Sequence, residues 1–382
     1  MRATRAIVHL ENLRFNLRRL RGHVERASTA AHGTAPQMCV AVKADAYGHG
    51  SVQVAAVALQ EGCTHLGVAT VEEGATLRAG GIEAPILLYG LAADEEIEAL
   101  VRNRLTPFVA DRHYTELLSD AAHRLGASVA VHLKIDSGMG RIGCRPADAA
   151  AVAREIIAMR GVTLAGVATH FPLADGADNG PTREQTARFA AAVAAIRSAG
   201  IEPGIVHAAN SGAVIGHPES WFDMLRPGIS VYGYYPSDEQ PRSLELKPVM
   251  ELRSRISFVK KVEAGAPISY GMTYRAQRAT TIATLPLGYA DGYNRLLSNR
   301  GQVLVHERAS GRSYRAPIAG RVCMDQFMID VGPDARVQRE DEVVLFGPDP
   351  AGPDAEEIAG LLGTIPYEVT CWVSKRVPRI YV

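Results

Sequence analysis

The stretch Met38-Cys39-Val40-Ala41-Val42-Lys43-Ala44-Asp45-Ala46-Tyr47-Gly48-His49-Gly50 holds the fold in miniature. An apolar run reads as a buried strand, a lysine stands at its end, and a glycine-rich turn leads to residues 52–60, which are composed for a helix. The cadence recurs. Apolar runs suited to buried strands follow at 66–69, 86–88, 106–109, 129–135, 162–169, 205–208 and 224–225, with helix-compatible segments between them at 71–79, 112–125, 146–159 and 182–199. Thr70, three residues before Glu73, supplies a Ser/Thr-x-x-Glu capping box for one of these helices. Eight strands alternating with helices predict an α/β chain that begins as a (β/α)8 barrel, with a doubly wound open sheet as the competing arrangement.

Outward from this core the texture changes at both ends. Residues 6–9 read as a strand, and Leu10, Leu13, Leu17, Leu20 and Val24 form the apolar stripe of an amphipathic helix. After Tyr235 the segments 252–262, 280–287, 302–306, 315–322, 326–331 and 342–346 are short and β-rich, with Gly, Pro and Asp turns between them. Only 355–362 reads as a helix there. The expected division is a barrel over 1–240 and a mostly β C-terminal domain over 241–382, with the boundary between 236 and 247.

Composition narrows the function classes. The 382 residues carry 41 Lys+Arg and 41 Asp+Glu, a formal net charge of +0, and 47% are hydrophobic. Such a balance gives no field for holding nucleic acid or an anionic membrane. The arginines of the first helix, Arg14, Arg18, Arg19 and Arg21, read as a solvated face. No signal-peptide core and no run of about 18 apolar residues is present, so a cytoplasmic protein is expected. Five scattered cysteines form no zinc pattern, and no metal is expected.

A barrel gathers its chemistry where the strands end at the C-terminal face. Lys43, the turn Ser137 to Arg141, His170, Asn210 with Ser211, and Arg226-Pro227-Gly228 all fall at such ends. A partly desolvated lysine is a Schiff-base nucleophile, because burial disfavours the ammonium; position alone favours a lysine that snorkels from a strand end. His49 reads as part of the turn, and Cys323 as packing.

The decapeptide Ala41 to Gly50 resembles the pyridoxal phosphate lysine motif of bacterial alanine racemases. Stretches in the same order extend the likeness over both domains: Lys134 to Gly143, Thr169-His170-Phe171, Ala209-Asn210-Ser211, Arg226 to Ile229, Ser269-Tyr270-Gly271, Gly320 to Gln326 and Ile365 to Glu368. The resemblance implies a racemase that interconverts L- and D-alanine on pyridoxal phosphate, supplying D-alanine for peptidoglycan. It implies a head-to-tail homodimer in which the second domain of one subunit completes the other's site. Lys43 would hold the cofactor as a Schiff base and serve one face of the substrate Cα; Tyr270 of the partner subunit would serve the other. Two bases are needed, since a proton taken from one side must return from the opposite side. A tyrosine with its ordinary pKa of about 10 needs cationic neighbours to act as phenolate, and His170 and Arg226 are the expected sources.

The same resemblance sets Arg226 against the pyridine nitrogen. Ser211, the backbone N–H groups of Gly228 and Ile229, and the hydroxyls of Tyr47 and Tyr367 would bind the cofactor phosphate; His170 and Asn210 complete the cofactor set. Arg141 and the N–H of the partner subunit's Met324 would grip the substrate carboxylate. In some family members the lysine equivalent to Lys134 is carbamylated; pairing with Asp136 is the plainer reading. Phe171 to Asp175 and Val231 to Tyr235 depart mildly from the family pattern and bear on substrate breadth. A broader-specificity or serine racemase, a basic amino-acid decarboxylase of the same two-domain type, and a non-enzymatic pyridoxal phosphate carrier are the alternatives.

Overall fold

The computed structural model describes residues 2–28 and 35–382. Strand β1 (Arg5–Val8) leads into the helix Leu10–Ser28, and the barrel follows. Its strands are β2 (Gln37–Ala41), β3 (His65–Val68), β4 (Ile86–Leu88), β5 (Leu105–Val109), β6 (Val129–Lys134), β7 (Val162–Ala168), β8 (Ile205–His207) and β9 (Met224–Leu225). They pair in parallel in chain order, and β9 returns to β2 through Gln37 opposite Met224, so the sheet closes and the open-sheet alternative is excluded. Parallel strands covered on both faces must be apolar almost throughout, which is why the short runs were legible. Inside the barrel Cys39, Leu87 and Met224 pack with Tyr89 and Ile205, beside the rings of Phe108, His132 and His207.

Beyond the barrel come β10 (Met250–Arg255), β11 (Phe258–Val262), β12 (Pro267–Ile268), β13 (Tyr274–Arg275), β14 (Thr280–Leu285), β15 (Gln302–Glu307), β16 (Arg312–Pro317), β17 (Phe327–Gly332), β18 (Glu342–Phe346) and β19 (Arg379–Tyr381). A six-stranded sheet runs β16-β15-β18-β10-β1-β19 and a three-stranded sheet runs β11-β14-β17. The opening strand is therefore lent to the second sheet, where it lies antiparallel to β10 and parallel to β19.

Two expectations are corrected. The segment 252–262 is not one strand: it breaks after Arg255, and its halves join different sheets. The C-terminal part holds a second helix, Pro366–Trp372, besides Ala355–Leu362. Its Tyr, Val, Thr and Trp residues are poor helix formers, but Pro366 opens it at a position that needs no N–H, and Val369 and Thr370 are buried.

Candidate active site

The C-terminal ends of the barrel strands surround a cavity lined by Lys43, Tyr47, Lys134, Arg141, His170, Asn210, Ser211, Arg226, Gly228, Ile229 and Tyr367, with Tyr89 and Phe108 at its floor. Among the described residues no aspartate or glutamate lines it. Tyr270 and Met324 lie elsewhere, on the β domain, 73% and 52% exposed.

Lys43 follows β2 directly. Burial first, and then the Arg141 cation, push its amine below the ordinary lysine range, toward the neutral nucleophile. The next four residues, Ala44 to Tyr47, have φ between 50° and 55°, and ψ at Ala44, Asp45 and Ala46 is 49°, 48° and 51°, the left-handed helical conformation. Each non-glycine residue in that conformation costs about 1–2 kcal/mol, so the surroundings must hold it. Glu73 does part of this: Oε1 accepts from Ala44 N at 2.7 Å and Oε2 from Ala69 N at 2.8 Å. Thr70 Oγ1 accepts from Glu73 N at 3.2 Å, the outward half of the capping box. Both glutamate oxygens are thus taken by Ala44 N and Ala69 N rather than by the Thr70 amide. Asp45 Oδ1 accepts from Ser51 N at 2.7 Å and ties the turn to the next helix.

Arg226 is 6% exposed and is anchored through both of its terminal nitrogens. Nη2 donates to Thr169 O at 2.7 Å and to Ala208 O at 2.9 Å, and Nη1 lies 2.6 Å from His207 Nδ1. A guanidinium only donates, so His207 accepts at Nδ1 and carries its proton on Nε2, which reaches His132 Nδ1 at 2.7 Å. Burial, then the neighbouring cations and imidazoles, holds His207 well below the usual histidine range and His132 at about 3. Neither histidine was singled out in the sequence. The available signal was a polar side chain inside an apolar strand, which must find a partner.

Ser211 Oγ accepts from Gly228 N at 2.8 Å and lies 3.1 Å from Ser230 Oγ. A Cβ at Gly228 would stand 2.5 Å from the Tyr47 hydroxyl, so glycine permits that hydroxyl to reach the backbone. Ile229 opens the turn Ile229–Tyr232, and the first N–H groups of such a turn have no partner within it. Tyr367 packs against Tyr47 with ring centroids 5.7 Å apart. This concave set of hydroxyls and amides suits an oxyanion group. Asn210 lines the cavity, but its amide is spent on structure: Oδ1 accepts from Ala213 N and Nδ2 donates to Phe171 O.

Two expectations fail. Burial, then Arg226, Lys134, Arg141 and Lys43, press His170 well below the ordinary histidine range. It is neutral and supplies no positive charge. Lys134 makes no ion pair with Asp136 among the described residues, because Asp136 Oδ1 accepts the backbone N–H groups of Gly138, Met139 and Gly140. Lys134 is itself buried, with Nζ 5.3 Å from the centre of the Phe108 ring, and burial followed by Arg226 and Arg141 holds it well below the lysine range.

Residues 8–236 match the sequence model for the N-terminal domain of alanine racemase, and residues 249–381 that for its C-terminal domain. The chain belongs to the alanine racemase family. The alanine racemase of Desulfovibrio desulfuricans is 45% identical over 99% of this chain and 97% of its own length. That of Treponema denticola is 43% identical over 100% and 99%. The solved alanine racemase of Clostridium difficile 630 superposes with a TM-score of 0.91 at 39% identity, covering 100% of this chain and 96% of that one. The family is one of pyridoxal phosphate enzymes, and the cavity fits that cofactor: a lysine of depressed pKa for the aldehyde, a cradle for the phosphate, and a permanent cation for the ring.

Proposed function

We propose that this chain racemises alanine with two bases, one from each subunit of a homodimer, and that it supplies D-alanine in the cytoplasm for peptidoglycan. The observation that carries the reading is the half-buried lysine at the end of β2, its pKa pushed down by burial and Arg141, facing a cavity lined by four basic side chains and, among the described residues, no carboxylate. Its five unpaired cysteines suit a reducing compartment. We also take 1–240 and 241–382 as the working domain division, with β1 crossing between them.

Bound in the cavity, pyridoxal phosphate supplies an electron sink that acidifies the substrate's α-hydrogen. The protein does the rest. Lys43 Nζ, its pKa lowered by burial and by Arg141, would hold the cofactor and then take or return a proton on one face of Cα. The partner subunit's Tyr270 serves the opposite face through its hydroxyl. Since His170 is neutral, the cationic influence on that tyrosine falls to arginines. Ser211, Gly228 N, Ile229 N, Tyr47 and Tyr367 hold the phosphate; His170 and Asn210 wall the cavity around it. Arg141 and the N–H of the partner subunit's Met324 orient the substrate carboxylate.

Arg226 keeps a proton off the pyridine nitrogen, because it is itself only a donor, pinned to two carbonyls and a neutral histidine. A donor in this place, rather than a carboxylate, would leave the bound cofactor a weaker electron sink and would favour prompt return of the proton over transamination. For the dimer, the support is the exposure of Tyr270, Met272, Tyr289, Leu296, Met324 and Ile365, apolar side chains that a monomer would leave in water.

The test is borohydride reduction of the holoenzyme with mapping of the labelled lysine, together with assays on both enantiomers of alanine, serine and lysine. Label on Lys43 and fastest turnover of alanine are expected. Label elsewhere refutes the site, and faster turnover of serine refutes the substrate.

A further inference from the structure

The segment Cys323-Met324 lies outside every strand, yet on the reading above its backbone must hold an N–H in place for the neighbouring subunit. What holds it is the turn Tyr289–Asp291. Tyr289 N donates to Cys323 O at 3.0 Å and Ala290 N to Met324 O at 3.1 Å. A Cβ on Gly288 would stand 2.0 Å from Cys323 O, so glycine is what lets the two segments meet.

Asp291 closes this turn from beneath. Its side chain is fully buried, and Oδ2 accepts from Gly288 N at 3.0 Å. Its other oxygen meets two cations, Arg2 Nη2 at 2.6 Å and Arg376 Nε at 3.5 Å. Arg376 continues to the far side of the loop, where Nη2 reaches Asp325 Oδ1 at 2.8 Å, one residue after Met324. The two ends of the chain are locked to each other here, since Arg2 Nη1 donates to Arg376 O at 2.9 Å and Ser374 N donates to Asp291 O at 3.1 Å.

We infer that Asp291, Arg2 and Arg376 are positioning residues that fix the Met324 N–H for the substrate carboxylate bound in the opposite subunit. The inference rests on the composite site proposed above. The charges suit the task. A carboxylate buried in a turn is costly unless paired, and its two arginines approach from opposite chain termini. The Met324 loop is thus clamped between the Tyr289–Asp291 turn on one side and Arg376 on the other. None of the three side chains lines the cavity. They act through the backbone of the loop.

The test uses the holoenzyme and three variants: Asp291→Asn, which keeps an acceptor for Gly288 N but removes the charge, Arg376→Met and Arg2→Met. Arg376 and Arg2 are 49% and 30% exposed, whereas Asp291 is fully buried, so the two arginine variants disturb folding less and keep the test open if Asp291→Asn fails to fold. The measurements are KM and kcat in both directions, inhibition by propionate (the substrate carboxylate without an amine), cofactor affinity by absorbance, and dimer mass. A loosened N–H should raise KM and the propionate inhibition constant together by about tenfold, the scale of one weakened hydrogen bond to a charged group. Cofactor affinity, dimer mass and kcat should change far less, a split that general destabilisation would not produce. Unchanged propionate inhibition in the variants overturns the inference. Arg141→Gln separates the two levels: if it too leaves propionate inhibition unchanged, the carboxylate site itself is wrong, and if it alone weakens inhibition, only the positioning role fails.

Discussion

His49 turns the reversed turn after Lys43 into a pH-sensitive element. Its ring is fully buried and stacks on Tyr232 with centroids 4.6 Å apart. Nδ1 lies 2.9 Å from Ala46 O and 3.0 Å from Tyr47 O. Both partners only accept, so the proton sits on Nδ1, and Nε2 is left buried without a partner. Burial above all, with Arg379 adding to it, holds the pKa down to about 4. The unfolded chain takes up this proton near pH 6.5 while the folded ring does not. The stability tied to His49 is therefore whole above about pH 6.5 and falls by about 1.4 kcal/mol per pH unit toward pH 4. At pH 5 the loss is about 2 kcal/mol. The perturbation is His49→Asn, whose side-chain amide can donate to the same carbonyls and does not titrate. Urea unfolding of the holoenzyme, at fixed protein and cofactor concentrations, should give curves for the two proteins that converge by about 2 kcal/mol between pH 8 and pH 5. His132, His170 and His207 also oppose acid, but they are common to both proteins and cancel in the comparison. Parallel profiles over that range would refute the argument.

Gly228→Ala places a methyl 2.5 Å from the Tyr47 hydroxyl; overpacking of about 1–3 kcal/mol should raise the cofactor dissociation constant about tenfold, read by absorbance titration. Mixing Lys43→Ala and Tyr270→Ala variants should recover activity through hybrid dimers that keep one intact site, and no recovery after demonstrated subunit exchange means each site is built from one chain. Arg226→Glu should increase pyruvate formed from alanine relative to racemisation, and an unchanged ratio counts against the weak-sink argument; it also leaves Thr169 O and Ala208 O without their donor, so a lower melting temperature accompanies it. Lys134, whose pKa burial, Arg226 and Arg141 hold well below the lysine range, is open to reaction with carbon dioxide as the free amine, its nitrogen bonding to carbon as a proton leaves. Activity should fall in carbon dioxide-depleted buffer and return with bicarbonate, and an enzyme indifferent to both carries no functional carbamate.

The barrel was legible because a strand buried on both faces can hardly be anything but apolar, and β2 hands its lysine to a turn in plain view. The second domain was harder. Residues 252–262 are β-forming throughout, and only contacts with two different sheets decide that the chain bends after Arg255. Residues 366–372 have strand-like composition and become helix by docking. Within the cavity, residues that carry charge or end a strand stood out, whereas His132 and His207, which stand behind Arg226 and do not line the cavity, lay hidden inside apolar runs. The reversed turn was invisible for another reason: Ala44, Asp45, Ala46 and Tyr47 are not left-handed formers, and the Glu73 carboxylate that holds Ala44 N–H lies 29 residues away.

The cavity's one-sided charge accounts for several of its properties at once. Lys43, Lys134, Arg141 and Arg226 face a common space with no carboxylate among them. Each cation disfavours protonation of its neighbours, and burial adds to the effect, so the groups that can lose a proton do so. The two lysines and His170 are driven toward neutrality, while the guanidiniums, with far higher intrinsic pKa values, remain charged. The division of labour follows from chemistry already in the residue types. Arginines supply the fixed positive field for a phosphate and a carboxylate, and lysines supply free amines. Arg141→Lys would break this division. A second titratable amine near Lys43 would share the deprotonation, so the rate-controlling ionisation of Lys43 should move to higher pH. A pH profile of kcat/KM measures it, and an acid limb at the wild-type position would mean that Arg141 does not tune Lys43.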